Sequence, residues 1–242
     1  MGHYYNPNIP KRELHWIVDF ANVVSYPGSG AVVYDLALQN NLAITGSPTF
    51  SSAGSSSNLV FSGTGQYAGK SSVVSGALIQ GPITVNVIFN PSSISSQNII
   101  ALTQGGANAL QIGTFGAGVG NIWKFGGTVL LTYTYAGIGS VMHLTYTCDG
   151  SNNSKVYING KLENSGTVAT QTGTADNYSL ATFNSSGSQL FNGKIYYASI
   201  HKTVLSDNEV AGMYHALMKR WGFSGIGTGV YGIGIGGVEV PE

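Results

Sequence analysis

The chain of 242 residues has one cysteine, Cys148, and only 8% of its residues are charged. A single thiol excludes an internal disulfide and any cysteine-built metal cluster, so the fold must be held by its core. Lys plus Arg equals Asp plus Glu, 10 against 10. That balance leaves no net field to draw nucleic acid or an acidic membrane. No window approaches the roughly 20 apolar residues of a membrane span. The opening Met1-Gly-His-Tyr-Tyr5 has no basic region followed by an apolar run, so no secretory signal is evident and assembly inside a cell is the expectation.

The charged share is about a third of the usual roughly 25%. Solubility therefore rests on Ser, Thr, Asn and Gly. A surface with so little charge repulsion suits a subunit that sits against neighbours, and it equally suits an extracellular chain.

What is present is strand pattern. Ile83, Val85, Val87 and Phe89 fall on one face at period two, with Thr84 and Asn86 on the other, so this segment should line a core while truncation of Thr84 matters little. Leu14 to Phe20 is a plausible first strand. Asn98 to Leu102, Ala109 to Phe115, Asn121 to Phe125, Val129 to Tyr135 and Val141 to Cys148 are short apolar runs parted by turns, the spacing of a sandwich or jelly roll. Asn159-Gly160 predicts a two-residue hairpin because both residues accept positive φ, and Asn192-Gly193 is read as repeating it. Ser206-Asp-Asn-Glu209 forms a capping box, and Val210, Met213, Tyr214 and Leu217 follow at helical spacing to an end near Arg220 or Trp221.

Four motifs in order carry a family resemblance. Tyr26-Pro-Gly-Ser-Gly30 is followed by Tyr34-Asp-Leu36. Asn58-Leu-Val-Phe61-Ser-Gly63 leads to Tyr67, Val156-Tyr-Ile-Asn-Gly-Lys161 comes later, and Phe191-Asn-Gly-Lys-Ile195 runs into the capped helix. Together they resemble the concanavalin A-like, laminin-G-like jelly roll common in phage and other viral structural proteins. The resemblance implies an all-β antiparallel sandwich with one short C-terminal helix and extended terminal arms. Residues 1–14 read as an N-terminal arm, 15–221 as the jelly roll and 222–242 as a Gly-rich apolar C-terminal arm. Two departures stand out: the acidic positions of the second motif are Ser62 and Gly65, and an acidic pair after the Phe191 motif is replaced by Tyr196 and Tyr197.

The resemblance implies a non-enzymatic virion component on a capsid surface or fibre, made in the host cytoplasm and bound to other virion proteins and copies of itself. The rival reading is a lectin-like module that binds surface glycan for host attachment; a glycoside hydrolase is a distant third. Hydrolysis needs two carboxyl groups roughly 5 to 10 Å apart, and the only acidic residues close in sequence are Asp207 with Glu209 in the cap and Glu239 with Glu242 in the tail. No Gly-x-Ser-x-Gly elbow, zinc helix or phosphate loop is present. The histidines show no ligand spacing, so neither metal nor cofactor is expected. Asp149-Gly-Ser-Asn-Asn153 and Asp176-Asn177 offer oxygens of the type calcium takes but read as turns.

Trp123, Tyr133 and Tyr135 are the candidate sugar-stacking aromatics, since their faces combine apolar area with a polar rim. Tyr4, Tyr5, Phe223, Ile226, Val230, Tyr231, Ile233, Ile235 and Val238 are the candidate partner contacts. Burying the tail's apolar side chains gains on the order of 10 kcal/mol, while ordering about 16 backbone residues costs about 1 to 2 kcal/mol each. The tail is therefore expected to order only by adding as a strand to a neighbour's sheet edge.

Overall fold

The computed structural model describes residues 9–220, apart from 78, 80, 94, 106–107, 117, 125–127, 136, 169–172 and 184–186. All nine candidate partner contacts, in the segments before Ile9 and after Arg220, lie outside the described residues. In chain order the strands are β1 (Leu14–Asp19), β2 (Val32–Val33), β3 (Leu42–Thr45), β4 (Thr49–Ser51), β5 (Asn58–Ser62), β6 (Tyr67–Ser71), β7 (Ile83–Pro91) and β8 (Gln97–Gln104). They continue as β9 (Asn108–Thr114), β10 (Val119–Lys124), β11 (Val129–Thr134), β12 (Met142–Cys148), β13 (Asn153–Ile158), β14 (Lys161–Thr167), β15 (Asn177–Leu180) and β16 (Asn192–His201), followed by helix α1 (Asp207–Arg220).

Two antiparallel sheets form the jelly-roll sandwich. Sheet I runs β14-β13-β12-β7-β16-β5-β4, with β1 added beside β16, and sheet II runs β11-β10-β9-β8-β15-β6-β3-β2. Between them lies the main core, which takes Ile83, Val85, Val87 and Phe89 from β7 together with Ile100, Leu102, Leu110, Ile112 and Ile122 from sheet II. Period-two alternation delivers these side chains to one face. Cys148 is buried in the same core.

The other face of β7 is buried too. Helix α1 lies across sheet I, and Val210, Met213 and Leu217 pack on Ile17, Ile88, Tyr157, Tyr196 and Tyr197 as a second core. Under this cover Thr84 Oγ1 donates to Thr203 O at 2.8 Å and accepts from Leu205 N at 3.0 Å. The expectation that truncating Thr84 matters little is corrected, because the helix converts the outer face into an interior. Tyr196 and Tyr197 sit in that interior, where the family's acidic pair would be costly to bury.

The helix start matches its capping box: Glu209 N donates to Ser206 Oγ at 3.3 Å while Ser206 N donates to Glu209 Oε2 at 2.7 Å. Arg12–Glu209 at 3.1 Å and Lys155–Asp207 at 2.8 Å add ion pairs around this end. Asn159-Gly160 forms the expected hairpin between β13 and β14, both residues at positive φ. Asn192-Gly193 does not: it opens β16 and pairs with β5 and β7 at once. Glycine is needed there for close approach, since a Cβ on Gly193 would lie 2.4 Å from Asn90 O.

Candidate functional site

The two sheets meet differently at their two sides. On one side β11 and β14 are joined through side chains: Asn164 Nδ2 donates to Thr132 O at 3.0 Å and Thr134 N donates to Glu163 Oε1 at 3.3 Å. On the other side sheet I ends with β4 and sheet II with β2. There the chain crosses between sheets through Gly46–Pro48, and an open groove of about 490 Å³ lies beside the crossing.

Tyr26, Ile44, Pro48 and Phe50 supply its apolar walls; Gly28–Ala31 and Gly46–Ser47 supply the rest. Tyr26 meets Phe50 edge to face at 5.3 Å and Phe20 at 6.1 Å, which ties the wall to the core. Its hydroxyl donates to Gly30 O at 3.2 Å and so staples the Pro-Gly-Ser-Gly turn. Burial pushes the Tyr26 phenol above its ordinary value, so it stays a neutral donor. Gly28 has φ +95°, and a Cβ there would stand 3.2 Å from the Phe50 ring. At Gly46, φ is +75° and a Cβ would lie 1.9 Å from Gly65 O. Both positions need glycine for the wall to close.

The Tyr34-Asp-Leu36 motif positions this region from behind. Asp35 is buried, and its carboxylate accepts from Ile17 N, Ala37 N, Gln39 N and Asn40 N at 2.9 to 3.2 Å. Four backbone donors satisfy the charge in place of a cation. Ser25 completes the clasp, accepting from Asp19 N at 3.0 Å and donating to Tyr34 O at 2.8 Å.

The structure does not gather Trp123, Tyr133 and Tyr135 into one platform. Their relative exposures are 8%, 2% and 4%. Tyr133 and Tyr135 point into the main core, and their hydroxyls donate to Gly113 O at 2.9 Å and Gly116 O at 2.7 Å. Trp123 follows the core residue Ile122 on β10 and faces outward, packed edge to face with Phe115 at 6.3 Å. Strand alternation therefore puts Trp123 and Tyr133 on opposite faces of one sheet.

The carboxylates of the two candidate calcium turns accept hydrogen bonds from nearby backbone. Asp149 Oδ1 accepts from Ser151 N and Asn153 N, both at 2.8 Å, and Asp176 Oδ2 accepts from Gly105 N at 3.1 Å. Among the described residues no three His, Cys, Asp or Glu side chains gather as a metal cluster, and no acidic or basic side chain lines the groove. No helix among them is long and apolar enough to cross a membrane. Sequence reading used Tyr26 and its turn as a fold marker and missed Phe50. An aromatic set before a Pro-Gly-Ser-Gly turn was the available signal.

Two eight-stranded antiparallel sheets, a helix on one outer face and a neutral groove at the open side define a lectin-like jelly roll. The chain belongs to the concanavalin A-like lectin/glucanases superfamily, whose laminin G-type family model matches residues 62–211. The groove residues precede that span. A sequence comparison with curated proteins finds no match. Among solved structures, domain 4 of AbnA, a GH43 extracellular arabinanase from Geobacillus stearothermophilus seen with arabinotriose, has a TM-score of 0.64 at 17% identity, covering 85% of this chain and 100% of that one. The botulinum neurotoxin type G receptor binding domain gives 0.61 at 13%, covering 84% and 51%. Trypanosoma rangeli sialidase with sialic acid gives 0.64 at 13%, covering 87% and 34%. The chain thus spans all of the arabinanase domain, about half of the toxin domain and a third of the sialidase. At these identities the likeness is one of fold.

Proposed function

We propose that this chain is a carbohydrate-recognition module that binds sugar without cleaving it. The observation that carries the reading is the groove of about 490 Å³ whose accessible apolar wall is Phe50, Ile44 and Pro48, with the buried Tyr26 ring holding Phe50 in place. Its aromatic and aliphatic walls suit the C–H faces of a sugar ring, and the Ser29 and Ser47 hydroxyls and the turn backbone suit its hydroxyls. Its volume falls within the range of small-molecule clefts. The sugars seen with two fold neighbours, arabinotriose and sialic acid, support a sugar as the occupant class. Binding without cleavage is supported by the lining, which among the described residues holds no carboxylate to act as acid, base or nucleophile.

A glycan array followed by calorimetry tests this. Binding should be lost in Phe50→Ala and in Ser29→Trp, which fills the groove from its exposed rim, with the fold of each checked by circular dichroism. An array without hits, or hits that persist in both folded variants, overturns the reading. A virion setting gains no support from these neighbours; it remains a proposal from family resemblance, tested by copy number in purified particles.

A further inference from the structure

We propose that the groove selects uncharged sugars and rejects those bearing a carboxylate, such as sialic and uronic acids. The proposal rests on the carbohydrate-binding reading above and goes further by fixing the charge class of the ligand. It starts from the lining, in which every side chain is neutral. An anionic sugar entering the groove would shed water from its carboxylate and meet only neutral donors such as Ser29 and Ser47 in return, which offset that desolvation less than a cation would.

The groups that are present make the mismatch worse. Tyr26 already donates its hydroxyl to Gly30 O, so pairing with a carboxylate would break the staple that shapes the turn. Gly65 O stands against Gly46 at the base of the crossing segment, and Ser47 O accepts from Gln66 Nε2 at 3.2 Å. Among the described residues no cation lines the groove, and Arg12 and Lys155 are paired with Glu209 and Asp207 near the helix start. Ten cationic against ten acidic residues supply no long-range attraction either.

The test uses sugar pairs that differ only by the acidic unit, lactose against 3′-sialyllactose and a neutral oligosaccharide against its uronic-acid counterpart. Arabinotriose serves as an additional neutral probe, and affinities are measured at low and high salt. Neutral members should bind about tenfold or more tightly than acidic ones, a gap of about 1.4 kcal/mol or more, with affinity insensitive to salt. Ser29→Lys, which places a cation on the exposed rim, should narrow the gap at low salt and restore it at high salt. Equal or stronger binding of the acidic members overturns the selectivity while leaving the sugar-binding reading intact. Failure of every sugar, neutral or acidic, overturns both.

Discussion

Tyr214 of helix α1 lies parallel to the imidazole of His143 on β12, ring centroids 6.1 Å apart and planes 9° from parallel. The contact is part of the seal between helix and sheet. His143 Nδ1 is buried without a hydrogen-bond partner, and Thr145 Oγ1 stands 3.4 Å from Nε2. The same Thr145 hydroxyl donates to Asn86 Oδ1 at 2.7 Å, and Asn86 Nδ2 donates to Ser199 Oγ at 3.2 Å. The helix therefore covers a polar network as well as an apolar patch.

Mild acid should loosen this fold through its buried histidines. Burial lowers His143 from 6.5 to about 3 and His15 to about 4, and it lowers His201 as well. Folded-state values below unfolded ones mean that the unfolded chain binds more protons, so stability falls as pH drops below about 6.5. The slope from His143 alone rises toward about 1.4 kcal/mol per pH unit as the pH falls well below 6.5. Asp207 and Glu209 are shifted down by their hydrogen bonds with Lys155 and Ser206, so their contributions are lost only at lower pH. Thermal midpoints measured from pH 7 to 5 should decline, and His143→Leu should flatten the decline. A wild-type profile that is flat across this range would refute the assignment.

Asp35 should be among the least replaceable residues. Asp35→Ala strips four backbone N–H groups of their acceptor, and each buried unmet donor costs about 1 to 3 kcal/mol. Asp35→Asn keeps one acceptor oxygen and should fall between the two. Urea denaturation of the three proteins would establish the order.

Phe89→Ala should cost about 3 to 5 kcal/mol by opening a cavity against Phe191, its edge-to-face partner at 6.2 Å. Thr84→Ala should cost about 1 to 3 kcal/mol by leaving the Leu205 amide without its acceptor. Thr84→Ser, which keeps the hydroxyl, should recover most of the loss. A fully stable Thr84→Ala protein would show that water replaces the bond.

The β11 edge should turn sticky when its side-chain cover is removed. Asn164 and Glu163 bond its backbone from β14, and an uncovered strand edge templates association. The double variant Glu163→Ala and Asn164→Ala should scatter more light at high concentration while its melting temperature changes little, because both residues belong to a largely exposed strand.

Much of the fold was legible because it is local. The period-two run of β7, the Asn159-Gly160 turn and the Ser206–Glu209 box each express a preference of a few adjacent residues, and each stands in the structure as read. The Asn192-Gly193 pair was misread for the same reason: a turn signal reports what its two residues tolerate, and here the tolerance serves a close approach to Asn90. The aromatic candidates Trp123 and Tyr133 each look suited to a sugar, and alternation sends them to opposite faces, which residue type alone does not reveal.

The sequence by itself determined the alternation, the turns, the helix boundary, the neutral charge balance and the family, because those depend on residue type and near spacing. Only the tertiary structure decided that Thr84 and His143 are interior, since that required segments more than 50 residues later in the chain, Thr203 to Leu205 over Thr84 and helix α1 over His143, to lie on them. It also decided the groove, where Phe50 meets Tyr26 through the crossing of the chain from sheet II to sheet I. Burial and convergence are properties of distant segments brought together, and no local pattern along a strand records them.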